Sequence, residues 1–256
     1  MPSDVNTPTP VPQGSATASA ELPGISQLAK EAWVLLKDRF VTLIGINILP
    51  ILLVGILITV GVGGIIASFA LGSRGGDSAL AGGIIAIPIA IILVLGLLYI
   101  SGLVQAASVV AVSSAENPGV IESYKRAFPR GFGMWWAMLI VSVVVAVGFI
   151  LIIIPGIIFA TWYAFTAIVL MTESLSAGDA MKRSKALVKG RWWPVFSKIA
   201  AIIIIYIVIQ WIISLIAGSS EKLGIALILN LILGIGFSLF IQVYLFRLYE
   251  HLKATR

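Results

Sequence analysis

The 256-residue chain has no cysteine and a single histidine, His251. Disulfides, thiolate metal sites and cysteine nucleophiles are therefore excluded. Charge is equally scarce. Only 11% of residues are Asp, Glu, Lys or Arg, against roughly 25% in an ordinary soluble domain. There is too little polar side chain to cover a water-facing fold. What the chain has instead is 59% hydrophobic residues and a mean hydropathy of +1.09. These values specify an integral membrane protein. The net charge of +6 points to contact with anionic headgroups.

Residues 1–22, MPSDVNTPTPVPQGSATASAEL, lack an apolar period and are expected to be a disordered tail ahead of a membrane domain, 23–256. They also lack the basic start and apolar centre of a signal peptide. From Phe40 to Leu71 no residue is charged. A helix of that length is roughly 48 Å long, against a hydrocarbon core of about 30 Å, so it must tilt, kink or project. A second apolar run extends from Leu80 to Ala115. The uncharged run 134–171 is too long for one span and suits two, with Pro155 and Gly156 marking a tight helical hairpin. The spacing predicts six spans at about 40–71, 80–115, 134–152, 155–172, 194–217 and 223–246.

Charge placement orients these spans. Every Lys and Arg except Arg74 and Lys222 falls on one side of the predicted topology. The positive-inside rule then puts both termini in the cytoplasm and the protein in the cytoplasmic membrane.

Three segments on that side look alike: PGISQLAKEAWVLLKDRF (23–40), PGVIESYKRAFPRGFGMWW (118–136) and AGDAMKRSKALVKGRWW (177–193). When Gly24, Gly119 and Gly178 are aligned, an alanine follows eight residues later in each, at Ala32, Ala127 and Ala186. A large apolar residue comes next: Trp33, Phe128 and Leu187. Shared interfacial composition would produce part of this match. The expected fold is all-α and polytopic, with six transmembrane helices as three hairpins, each preceded by an amphipathic interfacial helix.

The third segment shows the physics. Ala177, Ala180, Met181, Ser184, Leu187 and Val188 form one weakly apolar face, with Asp179, Lys182, Arg183, Lys185 and Lys189 largely off it. Ser176 is placed to cap the start and Gly190 to end the helix. Such a helix is expected to lie in the headgroup plane, with Arg191, Trp192 and Trp193 at the interface and Pro194 in the first turn of the next span. Lys182, Arg183, Lys185, Lys189, Arg191, Trp192 and Trp193 are thus the candidate lipid-contacting residues.

The stretch 154–196 resembles the signature region of bacterial and archaeal membrane proteins related to the glycerophosphoryl diester phosphodiesterase membrane domain. The resemblance is carried by Pro155-Gly156, a span ending in Glu173, Ala180, Arg183-Ser184 and Gly190-Arg191-Trp192-Trp193. It implies a membrane location and a six-span fold. Some members join this part to a catalytic domain whose motifs the present residues lack, so the resemblance implies no activity.

Few residues invite chemistry. Glu173 stands as a structural ion-pair partner of Arg183 or Lys182, as a proton- or cation-coupling acid, or as a solvated residue opening the loop. Ser184 lies beside bases but lacks an oxyanion framework, and a structural role is expected. Asn47, Gln105, Gln210, Asn230 and Gln242 sit within spans and must find partners there, as interhelical glue or as a polar path. Gly64/Ser68 and Gly234/Ser238 are spaced for close helix packing, and His251 reads as interfacial. No catalytic set, metal spacing or cofactor motif appears, and the aromatics beside the bases lead into lipid, away from nucleic acid. The sequence therefore indicates a non-catalytic protein that organises membrane lipids or a protein partner, homo-oligomers included. A small transporter or permease subunit is the alternative.

Overall fold

A computed structural model describes residues 22–72, 78–216 and 223–255. The predicted tail up to residue 21, and Arg74 and Lys222, lie outside the described residues. Eight helices follow in order: α1 (Ile25–Gly72), α2 (Ser78–Ser113), α3 (Val120–Leu151), α4 (Ile153–Tyr163), α5 (Thr166–Thr172), α6 (Ala177–Val188), α7 (Trp192–Ile216) and α8 (Leu223–Ala254). No strand occurs among the described residues. Six helical segments are long and apolar enough to cross a membrane, as a multi-pass protein requires, with α4 and α5 together making the fourth. Apolar runs take this form because the helix satisfies every backbone group internally, and lipid offers no substitute partner.

Neighbours in sequence pack together: α1 on α2, α2 on α3, and α3 on α4. Among the described residues α8 lies against α1 more extensively than against α7. The buried core is concentrated at the basic end, where Leu28, Ala32, Leu43, Ala107, Ala127, Phe165, Leu187 and Leu252 are almost fully enclosed. Towards the other end, large side chains such as Ile56, Ile92 and Ile150 are exposed. In a bilayer these face lipid tails.

Three sequence expectations are corrected. The first two basic segments are not separate helices. They run without interruption into α1 and α3, because no helix stop separates them from the spans, and Pro129 is absorbed within α3. Only the third segment is independent, because Gly190 adopts φ +87° and ends it. The α3–α4 turn is made by Ile152, in extended backbone (φ −162°, ψ 148°), and not by Pro155 and Gly156, which sit in the first turn of α4. A proline is welcome there, since the first turn needs no donor from it. Gly156 instead allows close approach. A Cβ on Gly148 would lie 2.9 Å from the Gly156 Cα, so the two helix backbones touch. The fourth span is also interrupted, at Ala164–Phe165, between α4 and α5.

Candidate functional site

The basic end of the bundle gathers most of the residues the sequence nominated. Helix α6 starts at Ser176, whose hydroxyl accepts from the Asp179 N–H at 3.3 Å and donates to the Asp179 carboxylate at 2.7 Å. That hydrogen bond, and then the Lys182 ammonium 3.4 Å away, hold the exposed Asp179 carboxyl below its ordinary pKa. The apolar face of α6 is buried at Ala180, Ser184, Leu187 and Val188. It packs against α3, α4, α5 and α8, so this face is committed to protein and does not lie on lipid.

Ser184 explains how the interrupted span survives. Its hydroxyl donates to the Trp162 carbonyl at 2.7 Å and accepts the Phe165 N–H at 3.2 Å. Both backbone groups flank the break, and Ser184 is fully buried. One side chain from α6 thus replaces part of the helix's own ladder. Lys185 reinforces the contact, with its ammonium 4.2 Å from the centre of the Trp162 ring.

Glu173 follows α5 and is only 16% exposed. Arg183 Nε donates to its Oε2 at 3.0 Å, Tyr249 Oη donates to its Oε1 at 2.9 Å, and Lys253 Nζ lies 3.5 Å away. The Tyr249 hydroxyl also meets Thr172 Oγ1 at 3.1 Å. Burial raises the Glu173 pKa, but the hydrogen bonds from Tyr249 and Arg183, with the charges of Arg183 and Lys253, outweigh it and leave the carboxyl below its ordinary value. This acid is held ionised between two bases and joins α5, α6 and α8. Lys182 turns away from it, with an 83% exposed side chain.

The remaining nominated residues line a groove. Lys189, Gly190, Trp192, Trp193 and Phe196 face Ile154, Ile157, Ile158 and Trp162 across about 730 Å³ between α4 and α7. Trp192 stacks on Phe196 at 4.8 Å and meets Trp193 edge-on at 4.9 Å. Arg191 donates to the side chain of Thr255 and to its carbonyl at 2.7 Å, tying the start of α7 to the end of α8. A second apolar groove, about 910 Å³, opens between α1, α7 and α8.

Among the intramembrane amides, Asn47 donates to the Leu43 carbonyl and Gln210 to the Tyr206 hydroxyl, each at 2.8 Å on its own helix. Gln105 and Gln242 come together on one small cavity. His251 contacts Glu31 at 2.8 Å and links α8 to α1. Gly64 has only ordinary contacts with α2, whereas Gly102 is pressed on the α3 backbone, with a virtual Cβ 3.1 Å from the Trp135 Cα. No group of three metal-ligating side chains occurs among the described residues.

Arg39 is the residue whose role the sequence did not reveal. It is 5% exposed. Its guanidinium donates to the carbonyls of Ala111, Ser114, Ala115 and Glu116 at the end of α2. It therefore caps a helix 72 or more residues away in sequence. In the sequence it is one more base near a membrane surface.

Residues 79–251 match the description of an uncharacterised protein family, UPF0259. No curated protein and no solved structure matches the chain.

Proposed function

Since the chain belongs to the uncharacterised family UPF0259, which brings no activity with it, we propose from the geometry that it is a non-catalytic protein of the cytoplasmic membrane that organises anionic lipid on the inner leaflet. The α4–α7 groove carries this reading. It places Lys189 at the mouth of an apolar trough faced by the Trp192–Trp193 pair, with Lys185 held over Trp162 close by. A base above an apolar slot matches an anionic headgroup above an acyl chain. The bias of Lys and Arg to one end orients that end to the cytoplasm, with both termini there.

A relationship to the glycerophosphoryl diester phosphodiesterase membrane domain is part of the same proposal. Its support is that the motif residues occupy structurally committed positions: Gly156 at the α3–α4 contact, Glu173 and Arg183 in the ion pair, Ser184 at the break, and Gly190 at the stop. A catalytic role for Ser184 is not proposed, because its hydroxyl is engaged by backbone on both sides.

Native mass spectrometry of the protein from mixed phosphatidylglycerol and phosphatidylcholine nanodiscs tests the reading. Wild type is expected to retain the anionic lipid preferentially, and Lys185→Gln with Lys189→Gln to lose that preference at least several-fold. Equal retention of the two lipids by wild type, or an unchanged preference in the double variant, overturns it.

A further inference from the structure

The break in the fourth span has two sides. Ser184 closes one. The other opens on two adjoining cavities in the heart of the bundle. The larger, about 140 Å³, is lined by Gln105, Ser142, Tyr163 and Thr166 together with apolar residues of α3. The smaller, about 30 Å³, is lined by Gln105, Ser108 and Gln242. Both are bordered by Ala164 and Ala167, so they meet at the interruption. Each exceeds the roughly 10–15 Å³ that one water needs.

Three polar atoms here have no partner: Ser108 Oγ, Thr166 Oγ1 and Gln242 Oε1. Ser108 is 1% exposed and Thr166 3%. Buried polar groups in native proteins are almost always hydrogen-bonded, and leaving one unpaired costs about 1–3 kcal/mol. Three such groups border these adjoining cavities, Thr166 on the larger and Ser108 and Gln242 on the smaller, and they call for an occupant. No charged side chain lines either cavity, so the occupant is uncharged. The Gln242 carbonyl oxygen accepts only, while the two hydroxyls both give and accept. The occupant must therefore offer at least one hydroxyl or amide hydrogen, to Gln242, and polar groups that can exchange hydrogen bonds with two hydroxyls. Interrupted spans with polar linings are where membrane proteins build solute sites.

We propose that these adjoining cavities form a binding site for a small uncharged molecule bearing hydroxyl or amide groups, held by Thr166 in the larger and by Ser108 and Gln242 in the smaller, beside the break in the fourth span. The site is independent of the lipid groove and does not rest on it.

Saturation-transfer NMR on the full chain in lipid nanodiscs tests the assignment, with glycerol and urea as neutral probes and acetate and choline as charged controls. Transfer is expected to at least one neutral probe and to neither ion. It falls at least five-fold in Ser108→Ala and in Gln242→Leu and persists in Lys189→Gln. Ser108→Ala removes an orphaned hydroxyl and keeps its thermal midpoint at or above wild type, so its loss of signal is not unfolding. Transfer to glycerol but not urea, or the reverse, supports the site and separates a polyol from an amide ligand. Transfer to neither leaves the cavities to water and overturns the proposal, as does equal transfer in Ser108→Ala or equal transfer to acetate.

Discussion

Replacing Ser184 by alanine tests the central structural claim, that one hydroxyl holds an interrupted span together. The change deletes one oxygen and leaves two backbone groups, the Phe165 N–H and the Trp162 C=O, without their partner. Each buried group left unsatisfied costs about 1–3 kcal/mol, so the variant should lose about 2–6 kcal/mol. For chains of this size, 1 kcal/mol moves the midpoint by about 2–4 °C, which sets a minimum drop of about 4 °C. Heat unfolding in detergent, followed by helical circular dichroism, measures the midpoint. Amide exchange at Phe165 reports the break itself and should accelerate in the variant. Lys182→Ala, on the exposed face of the same helix, is the control and should stay within about 0.5 kcal/mol. A Ser184→Ala midpoint within 1 °C of wild type, with Phe165 exchange unchanged, would refute the reasoning.

Two further outcomes follow from the basic end. The Glu173 carboxyl is held below its ordinary 4.5, so the folded state binds fewer protons there than the unfolded chain. Its stabilisation is complete above about pH 4.5 and is lost as pH falls through the lower folded value; Glu173→Gln should cost about 1–2 kcal/mol at pH 7 and flatten this acid limb in unfolding titrations from pH 7 to 3. An acid limb as steep as that of wild type would remove Glu173 from the account. Arg39→Lys should cost about 2–4 kcal/mol in detergent-denaturant titrations, because a point ammonium cannot serve the four carbonyls that the planar fork reaches. An unchanged midpoint would show that water replaces those bonds.

The spans were legible in the sequence because lipid enforces a simple rule, and uncharged runs such as 134–171 have no other use. Pro155 and Gly156 lie beside the α3–α4 boundary but do not form its turn: proline suits a first turn and glycine serves the helix contact. Ala164–Phe165 carries no glycine or proline, so nothing local announces the interruption. It exists because a serine 19 residues from Phe165 can close it. Glu173 stood out as a lone acid at the end of a span, but Tyr249 and Lys253 come to it from the last helix, a distance that residue spacing does not encode. Arg39 was visible only as charge. What hid its role is that its partners are backbone carbonyls, which have no sequence signature.

The Arg39 clasp also fixes how the molecule meets a bilayer. It joins α1 and α2 at one level, and from that level both helices run on for an equal length of chain, to Gly72 and back to Ser78. That length is roughly 50 Å at about 1.5 Å per residue. Tilting by about 40° still leaves nearly 40 Å to accommodate. By contrast, α4 and α5 together span only the 20 residues from Ile153 to Thr172, roughly 30 Å. The protein is therefore a wedge in hydrophobic height. Along its α1–α2 edge the helix ends must project from the bilayer or lipid must stretch to meet them, a demand that the α4 edge does not make.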